Sequence, residues 1–462
     1  MTVDGMGTAG IRHSSFSGWI DRPSDPAPAL EGVVDTDVAV VGGGYLGMGT
    51  ALRLAERGID VALLDAQFCG WGAASRNAGY LTNTLAGDAR MLAALHPRRL
   101  RRAIRFADSS VEFSNGLIER HGIECDYERT GNVIAAVTEG QLKRSRHNAG
   151  ILVDAGADAE FVDGREFGLP DAFLGGIFER AGGLINPGKY ARGLRDAVLM
   201  SGAKVFENSP VGSIRPGRAG IVVTTPNGRI RAERVVIANN AHSRDLAIAP
   251  PRMTAPLWVS LVETEPIAPE RLRATGWTSR VGISTHHLVL ESYRITPRNT
   301  ILFGVRRPEV ARGALGAREV DPRVTADLVR AFRQRFPTLS DVEPRRAWGG
   351  WIAMTPSWLP VVGEATDNVS YAIACNGHGL AQAPYLGALL ADRLAGDAPH
   401  EDLETLWRRR PWFSPSPASS ALAVRAAWAV DRLSDRLGRR ESRSPDGSAD
   451  PRTPHPRRSP FA

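Results

Sequence analysis

Cysteine is nearly missing from this 462-residue chain. Its three cysteines, Cys69, Cys125 and Cys375, are odd in number and far apart, which excludes a disulfide framework and a cysteine zinc site. Lysine is as scarce, with only Lys143, Lys189 and Lys204 among 57 basic residues. No stretch approaches 18 uninterrupted apolar residues, so no membrane span is expected. The start has no charged region leading into an apolar one. No secretory signal is therefore expected, and the reading is a cytoplasmic protein. Arginine is what the chain has in excess, and its position matters. The formal charge is +7, yet residues 408–462 alone carry twelve arginines against five acids. The rest is neutral on this count, so no basic surface for nucleic acid is expected. The length suits two domains or one elaborate domain.

The strongest local signal is TDVAVVGGGYLGMGTALRLAERGIDVALLDAQ, Thr36 to Gln67. A short apolar strand runs into Gly42, Gly44 and Gly47, spaced G-x-G-x-x-G. A helix pattern follows, and a second strand ends at Asp65. Gly42 permits the tight turn, Gly44 lets the backbone approach a pyrophosphate, and Gly47 lets helix and strand pack closely. The pyrophosphate then sits at a helix start, where free N–H groups and the dipole favour an anion. Asp65 accepts from a ribose hydroxyl. The motif alone does not separate FAD from NAD.

The remaining pattern implies an α/β fold: a discontinuous Rossmann-type dinucleotide-binding domain interleaved with an α+β substrate domain that contains an antiparallel sheet. Residues 1–35, rich in Gly, Ser and Pro, read as a surface segment. The nucleotide domain is expected over 36–95, 181–250 and 346–400, and the substrate domain over 96–180 and 251–345. Within these, Asn186 caps a helix whose first turn holds Pro187, and Asn227-Gly228 marks a hairpin. Residues 408–440 read as a C-terminal amphipathic helix and 441–462 as a disordered basic tail. The helix is expected on its own domain or a partner chain, with peripheral membrane contact the alternative.

Late in the chain, CNGHGLAQAPYLGALL (Cys375 to Leu390) forms a second glycine-bounded helix start. Together with DVAVVGGGYLG, GWGAASRNAG, LINPGKYARGL, NSPV and WGGWIAMTPSWLPVVG, it resembles the D-amino-acid oxidase-like superfamily of FAD-dependent oxidoreductases. Within that superfamily the chain is most similar to the gamma-glutamylputrescine oxidase-like amine oxidases. The resemblance spans roughly residues 16–440 in family order. It implies non-covalent FAD, with Gly42, Gly44, Gly47 and Asp65 holding the ADP half. Ser75, Arg76 and Asn77 would line the pyrophosphate and flavin edge, and Val211, ending its strand, would meet adenine. Gly350 and Gly363 would let the backbone pass the ring, and Gly377, Gly379 and Leu380 would meet its pyrimidine end. There a helix dipole favours the negative charge of reduced flavin. Ala74 stands where the family loop usually has serine.

The implied chemistry is hydride transfer from the C–H beside an amine or amino-acid nitrogen to flavin N5, followed by imine hydrolysis. Reoxidation by O2 is the leading expectation. Some relatives use a lysine beside the flavin for that step, and none falls in the substrate-domain strands here, so an electron carrier stays open. A non-catalytic flavoprotein is the third reading. Arg294 is a candidate for a substrate carboxylate, His378 for flavin or substrate, and Tyr293 as Arg294's neighbour on the opposite strand face. Trp258, Trp348, Trp351 and Trp358 are candidates for an apolar wall, with core packing the simpler reading of each. His286-His287 reads as strand surface and no metal site is expected.

Overall fold

The computed structural model describes residues 10–441 except 219, 374, 409–411 and 413, with side chains up to Arg436. The 441–462 tail therefore lies outside the described residues beyond its first residue. Five helices flank the two sheets and the site between them: α1 (Tyr45–Glu56), α2 (Leu100–Arg120), α3 (Pro322–Arg335), α4 (Gly379–Leu394) and α5 (Pro417–Glu441).

An eight-stranded sheet carries the nucleotide signal. Strand Gly32–Val41 lies between Val61–Leu64 and Gly228–Ile237, parallel to both, and Lys204–Phe206 extends it beyond Val61–Leu64. Val38, Ala39 and Val40 are buried, as are all four residues of Val61–Leu64, the mark of parallel strands covered on both faces. The hairpin at Asn227-Gly228 joins Ile221–Thr224 to Gly228–Ile237 in antiparallel register. Asn186 caps its helix as the sequence implied, its side chain accepting from the amides of Gly188 and Lys189. The strand before Val211 ends earlier than expected: Lys204–Phe206 stops at Phe206, and Val211 lies in the connection to Ser213–Pro216. Asn208, at φ 50°, and Pro210 turn the chain out of the strand there.

A ten-stranded sheet makes the second layer. Its order begins with the N-terminal Arg12–His13, then Pro344–Met354, Ala255–Thr264, Ile301–Val305, Glu291–Ile295, Gly282–Thr285, Asn132–Ala136 and Gly175–Glu179. Pro344–Met354 was expected to begin the last nucleotide-domain piece at 346. It belongs instead to the substrate sheet, paired along its length with Ala255–Thr264. The N-terminal segment is also less peripheral than its composition suggests, since Ile11, Phe16, Trp19 and Leu30 are buried.

Register divides this sheet into two faces. Val262, Phe303, Tyr293, Ile283, Val133 and Phe178 face one way, into a core closed by Val324, Leu328 and Phe332 of α3. The other face, turned toward the nucleotide layer, carries Trp348, Gly350 and Ile352 on one strand. Arg294, Gly282, Asn132 and Glu179 follow across four neighbouring strands in one transverse row. Glu179 ends that row, buried, and accepts from the hydroxyls of Thr82 and Thr84. Burial pushes its pKa up to about 7 despite those bonds. A carboxyl raised in the fold favours folding below its unfolded pKa, and that stability is lost as pH rises through about 7. Glu179→Gln should therefore raise the melting temperature at pH 8 relative to wild type by the equivalent of about 3 kcal/mol at most, with little gain at pH 4. A thermal-melt series across that range checks it.

Candidate active site

Two helices begin side by side where the two layers meet. α1 and α4 touch through glycines: a Cβ on Gly49 would lie 2.7 Å from the carbonyl oxygen of Pro384, and one on Gly387 would lie 2.4 Å from that of Leu46. The contacts advance together, Thr50 with Gly387, Arg53 with Asp392, Arg57 with Asp397, so the helices run parallel. Their starts therefore fall at the same end, within about one turn of each other. Neither start has a side-chain cap, nor do α2 and the short helix at Pro269, whereas the helices at Ala89, Glu139, Pro187 and Pro322 are capped by Asp88, Thr138, Asn186 and Asp321. Two positive dipole ends with open amides thus share one region.

The glycines of the first turn sort by what surrounds them. Gly42 has φ 111°, and a Cβ there would lie 2.8 Å from Asn239. A Cβ on Gly47 would lie 1.8 Å from the carbonyl oxygen of Gly42. Both are required by the protein itself. At Gly44 a Cβ would meet nothing within 4 Å. Asp65 is half-buried and accepts from Gly43 N–H and Gln67 N–H, both at 2.8 Å. Ser209 N–H reaches the carbonyl of Asp65 at 2.8 Å, which brings the Val211 connection alongside it.

The loop from Gly70 to Gly79 is clamped between α1 and the inner sheet face. Tyr45, the first residue of α1, shares its single hydroxyl proton between the carbonyls of Ala74 and Pro187, at 2.7 and 2.8 Å. Ser75 is buried, and its Oγ has no partner among the described residues. Arg76 is committed elsewhere: it donates to the carbonyls of Trp71, Ser15 and Gly349, lies over Phe16 and Trp71, and packs on Gly350. The side chain of Asn77 closes its own loop, donating to Ala73 and Ala74 and accepting from Gly79 N–H. These two residues shape the loop through its backbone. The N-terminal segment, which sequence reasoning passed over, straps it down. Ser17 donates to the carbonyl of Ser75, and Trp19 to that of Asn77. A tryptophan directly after two small residues, Ser17-Gly18-Trp19, was the available signal.

Strand Pro344–Met354 joins the two helix starts. Trp348 donates to the carbonyl of Arg76 at 3.0 Å, and Ile352 lies 3.8 Å from where a Gly377 Cβ would be. Asn376 accepts from Thr355 N–H at 2.7 Å, holding the turn before α4. Gly377 needs glycine for its φ of 88°. Gly379 and Leu380 open the helix, and His378, half-buried, sits at its cap with Nδ1 3.1 Å from the carbonyl of Asn376. Burial lowers the His378 pKa, so the ring is neutral at pH 7. Gly363 is a glycine for another reason than the one inferred: a Cβ there would lie 2.6 Å from the Tyr371 hydroxyl and from the carbonyl of Arg408.

Of the catalytic candidates, Arg294 lies on the inner face and Tyr293 does not. Tyr293 is packed among Phe173, Phe303 and Phe336, its hydroxyl on Glu291. Strand alternation puts it in the core, which corrects its candidacy. Arg294 is fully buried. Its Nη1 donates to the carbonyls of Ala78, Gly79 and Ile185, while Nε and Nη2 have no partner among the described residues. Burial pushes its pKa down to about 10, so it stays charged. No carboxylate pairs with it among the described residues. The tryptophans form no single wall: Trp258 and Trp351 pack together on the face opposite Trp348, under Arg318.

The two histidines are also not surface. His286 is buried against Ser145 and Asn148, and His287 against Thr285 and Asp435. The sequence offered no third ligand, and α5 supplies one: ligand atoms of His287, Glu291 and Asp435 lie within 4.8 Å of one another. Arg306 and Arg335 already pair with both carboxylates, so the cluster is an ion network that seats α5. The helix begins at Pro417, after Pro411 and Pro415, and not at 408.

A family model described as FAD dependent oxidoreductase (DAO) matches residues 37–393. The chain is 30% identical over 433 residues to gamma-glutamylputrescine oxidoreductase of Escherichia coli K12, covering 89% of this chain and 96% of that one. It is 28% identical to glycine oxidase of Geobacillus kaustophilus over 375 residues, 77% of this chain and 92% of the other. The crystal structure of glycine oxidase from G. kaustophilus superposes with a TM-score of 0.66 over 81% of this chain and 99% of its own, at 22% identity. That of L-proline dehydrogenase from P. horikoshii gives 0.66 over 80% and 95%, at 21%. The parallel helix starts, the open Gly44 and the partnerless Ser75 hydroxyl fit an elongated anionic cofactor, and the chain belongs to the DAO family of FAD-dependent oxidoreductases, enzymes acting on amines or amino acids.

Proposed function

We propose that the protein oxidises the C–N bond of an amine that carries a carboxylate, as a gamma-glutamyl amine or an amino acid does. The observation that supports this reading is Arg294. A buried guanidinium without a carboxylate partner among the described residues is costly; Trp19 lies over it at 5.2 Å, and with that ring displaced its Nε–Nη2 edge would take a carboxylate with two parallel bonds. Bound FAD would supply the hydride acceptor. Gly44 and the α1 start would hold the pyrophosphate, with Ser75 donating its hydroxyl beside it. Asp65 would hold the ribose and the Val211 connection would border the adenine. Gly377, Gly379 and Leu380 would hold the ring's pyrimidine end, where the α4 dipole offsets negative charge. Gly350 makes room for Arg76, whose Cδ lies 3.2 Å from where a Cβ would be, and not for the ring.

The substrate nitrogen must lose its proton before the adjacent C–H can leave as hydride. A site closed by Trp348 and Ile352 lowers an amine's pKa by desolvation. His378 is arranged to take the proton: its Nδ1 donates to the carbonyl of Asn376, which leaves Nε2 with a lone pair. The cofactor is held non-covalently on this reading. Burial pushes the Cys375 thiol up to about 12 and raises that of Cys69 well above its ordinary value, so neither is a thiolate.

Molecular oxygen is the proposed final acceptor. An electron carrier is the second reading, favoured by one observation: Lys189 and Lys204 pair with Asp126 and Asp60, and Lys143 sits on an outer helix, leaving the inner face without a lysine. Anaerobic reduction of the flavin band by gamma-glutamyl amines, polyamines and amino acids tests the substrate class. Hydrogen peroxide formed in stoichiometry with substrate would support oxygen, and its absence the carrier.

A pH effect follows from Asp65. Burial raises its pKa to about 6, and the ionised carboxylate is the stronger acceptor for ribose hydroxyls. FAD affinity should fall as pH drops below about 6, and Asp65→Asn should bind FAD about tenfold more weakly at pH 8. Fluorescence titration of the apoprotein measures both.

A further inference from the structure

α5 is held by charge on one side and left bare on the other. Asp431 accepts from the amides of Leu288 and Val289 at 2.9 and 2.8 Å, and Asp435 faces His287, Arg306 and Arg335. These are its only acids before Glu441, and both are buried. Turned away from them, Leu422, Ala426, Ala429 and Leu433 follow at steps of four, three and four, which aligns them in one stripe. Leu422 is 69% exposed, Leu433 57%, and Val430 beside them 55%. Arg425, Arg432 and Arg436 run along one flank of the stripe at helical spacing. On that flank a cavity between α3 and α5 is lined by Arg306, Arg330, Arg432 and Arg436 against Asp327 and Asp435.

We propose that the outer face of α5 docks the protein on an anionic lipid bilayer. Leu422, Val430 and Leu433 would enter the boundary between headgroups and acyl chains, and Arg425, Arg432 and Arg436 would take lipid phosphates. Charge decides the occupant. Two copies of this face would set arginine against arginine with no acid to answer, because Asp431 and Asp435 point inward. A phosphate-bearing surface answers all three. The residues after Glu441 extend the same sign, with four arginines against two acids.

Co-sedimentation of the full-length, FAD-loaded protein with vesicles tests this. The protein should pellet with vesicles containing phosphatidylglycerol, release at high salt, and stay in solution with phosphatidylcholine alone. Arg425→Gln with Arg436→Gln should lower partition about twenty-five-fold, at about fivefold per arginine. Leu422→Asp with Leu433→Asp should abolish it. All four side chains are exposed, so the flavin spectrum and helix content should not change. Equal binding to neutral vesicles, or no binding to either, would overturn the proposal. So would sedimentation equilibrium showing a dimer that Leu422→Asp dissociates, because the face would then belong to a second copy.

Discussion

Gly44→Val is expected to give a folded protein that purifies without flavin. The residue already lies in extended conformation, at φ −76° and ψ −177°, which valine adopts freely. Its Cβ meets no protein atom within 4 Å, so the apoprotein should melt with wild type. What the side chain fills is the space over the α1 start, where a pyrophosphate needs the amides. Loss of those charge-assisted bonds together with the steric block should weaken FAD by at least about a hundredfold. Gly47→Ala makes the contrast. Its Cβ would lie 1.8 Å from a backbone oxygen inside the same turn, and no side chain can swing away to relieve it. That variant should lose thermal stability with or without cofactor. Absorbance in the flavin band and apoprotein melting temperatures separate the two. A yellow, tightly loaded Gly44→Val protein would remove α1 from the cofactor site.

Arg294→Met should raise KM about a hundredfold for amines that carry a carboxylate, with a much smaller change for neutral amines. Removing one partner of a desolvated, hydrogen-bonded charge pair costs about 2–5 kcal/mol. Because the contact is made in both ground and transition states, kcat should move less than KM. Arg294→Lys should recover little, since an ammonium lacks the planar fork. The structural share of the effect is measurable on its own. Nη1 also ties down Ala78, Gly79 and Ile185, so loop damage would appear as weaker FAD binding for every substrate. Equal loss for acidic and neutral amines would show that Arg294 only builds the loop.

The glycine spacing around Gly42, the Asn186 cap and the Asn227-Gly228 hairpin were legible because each is local. A positive φ, a first-turn proline or a two-residue turn is decided within a few residues. The Val211 strand end, the place of Pro344–Met354 and the seat of α5 were not local. A strand's sheet is chosen by its partners, and Trp348 pairs with Leu261, nearly ninety residues earlier. Tyr293 and Arg294 show the limit most clearly. Alternation guarantees that they face opposite ways, yet only the core on α3 decides which one enters it.

The sequence by itself determined that a dinucleotide-type turn lies early in this chain, that a second glycine-bounded helix start lies late in it, and that its surplus charge sits at the end. The tertiary structure decided that those two starts lie side by side, that Arg294 is buried on the inner sheet face with no carboxylate partner among the described residues, and that Asp431 and Asp435 are spent holding the last helix. The reason is distance along the chain. Helix starts and turns are settled by neighbours a few bonds away, whereas a shared site depends on which buried faces pack together, and no single segment contains that choice.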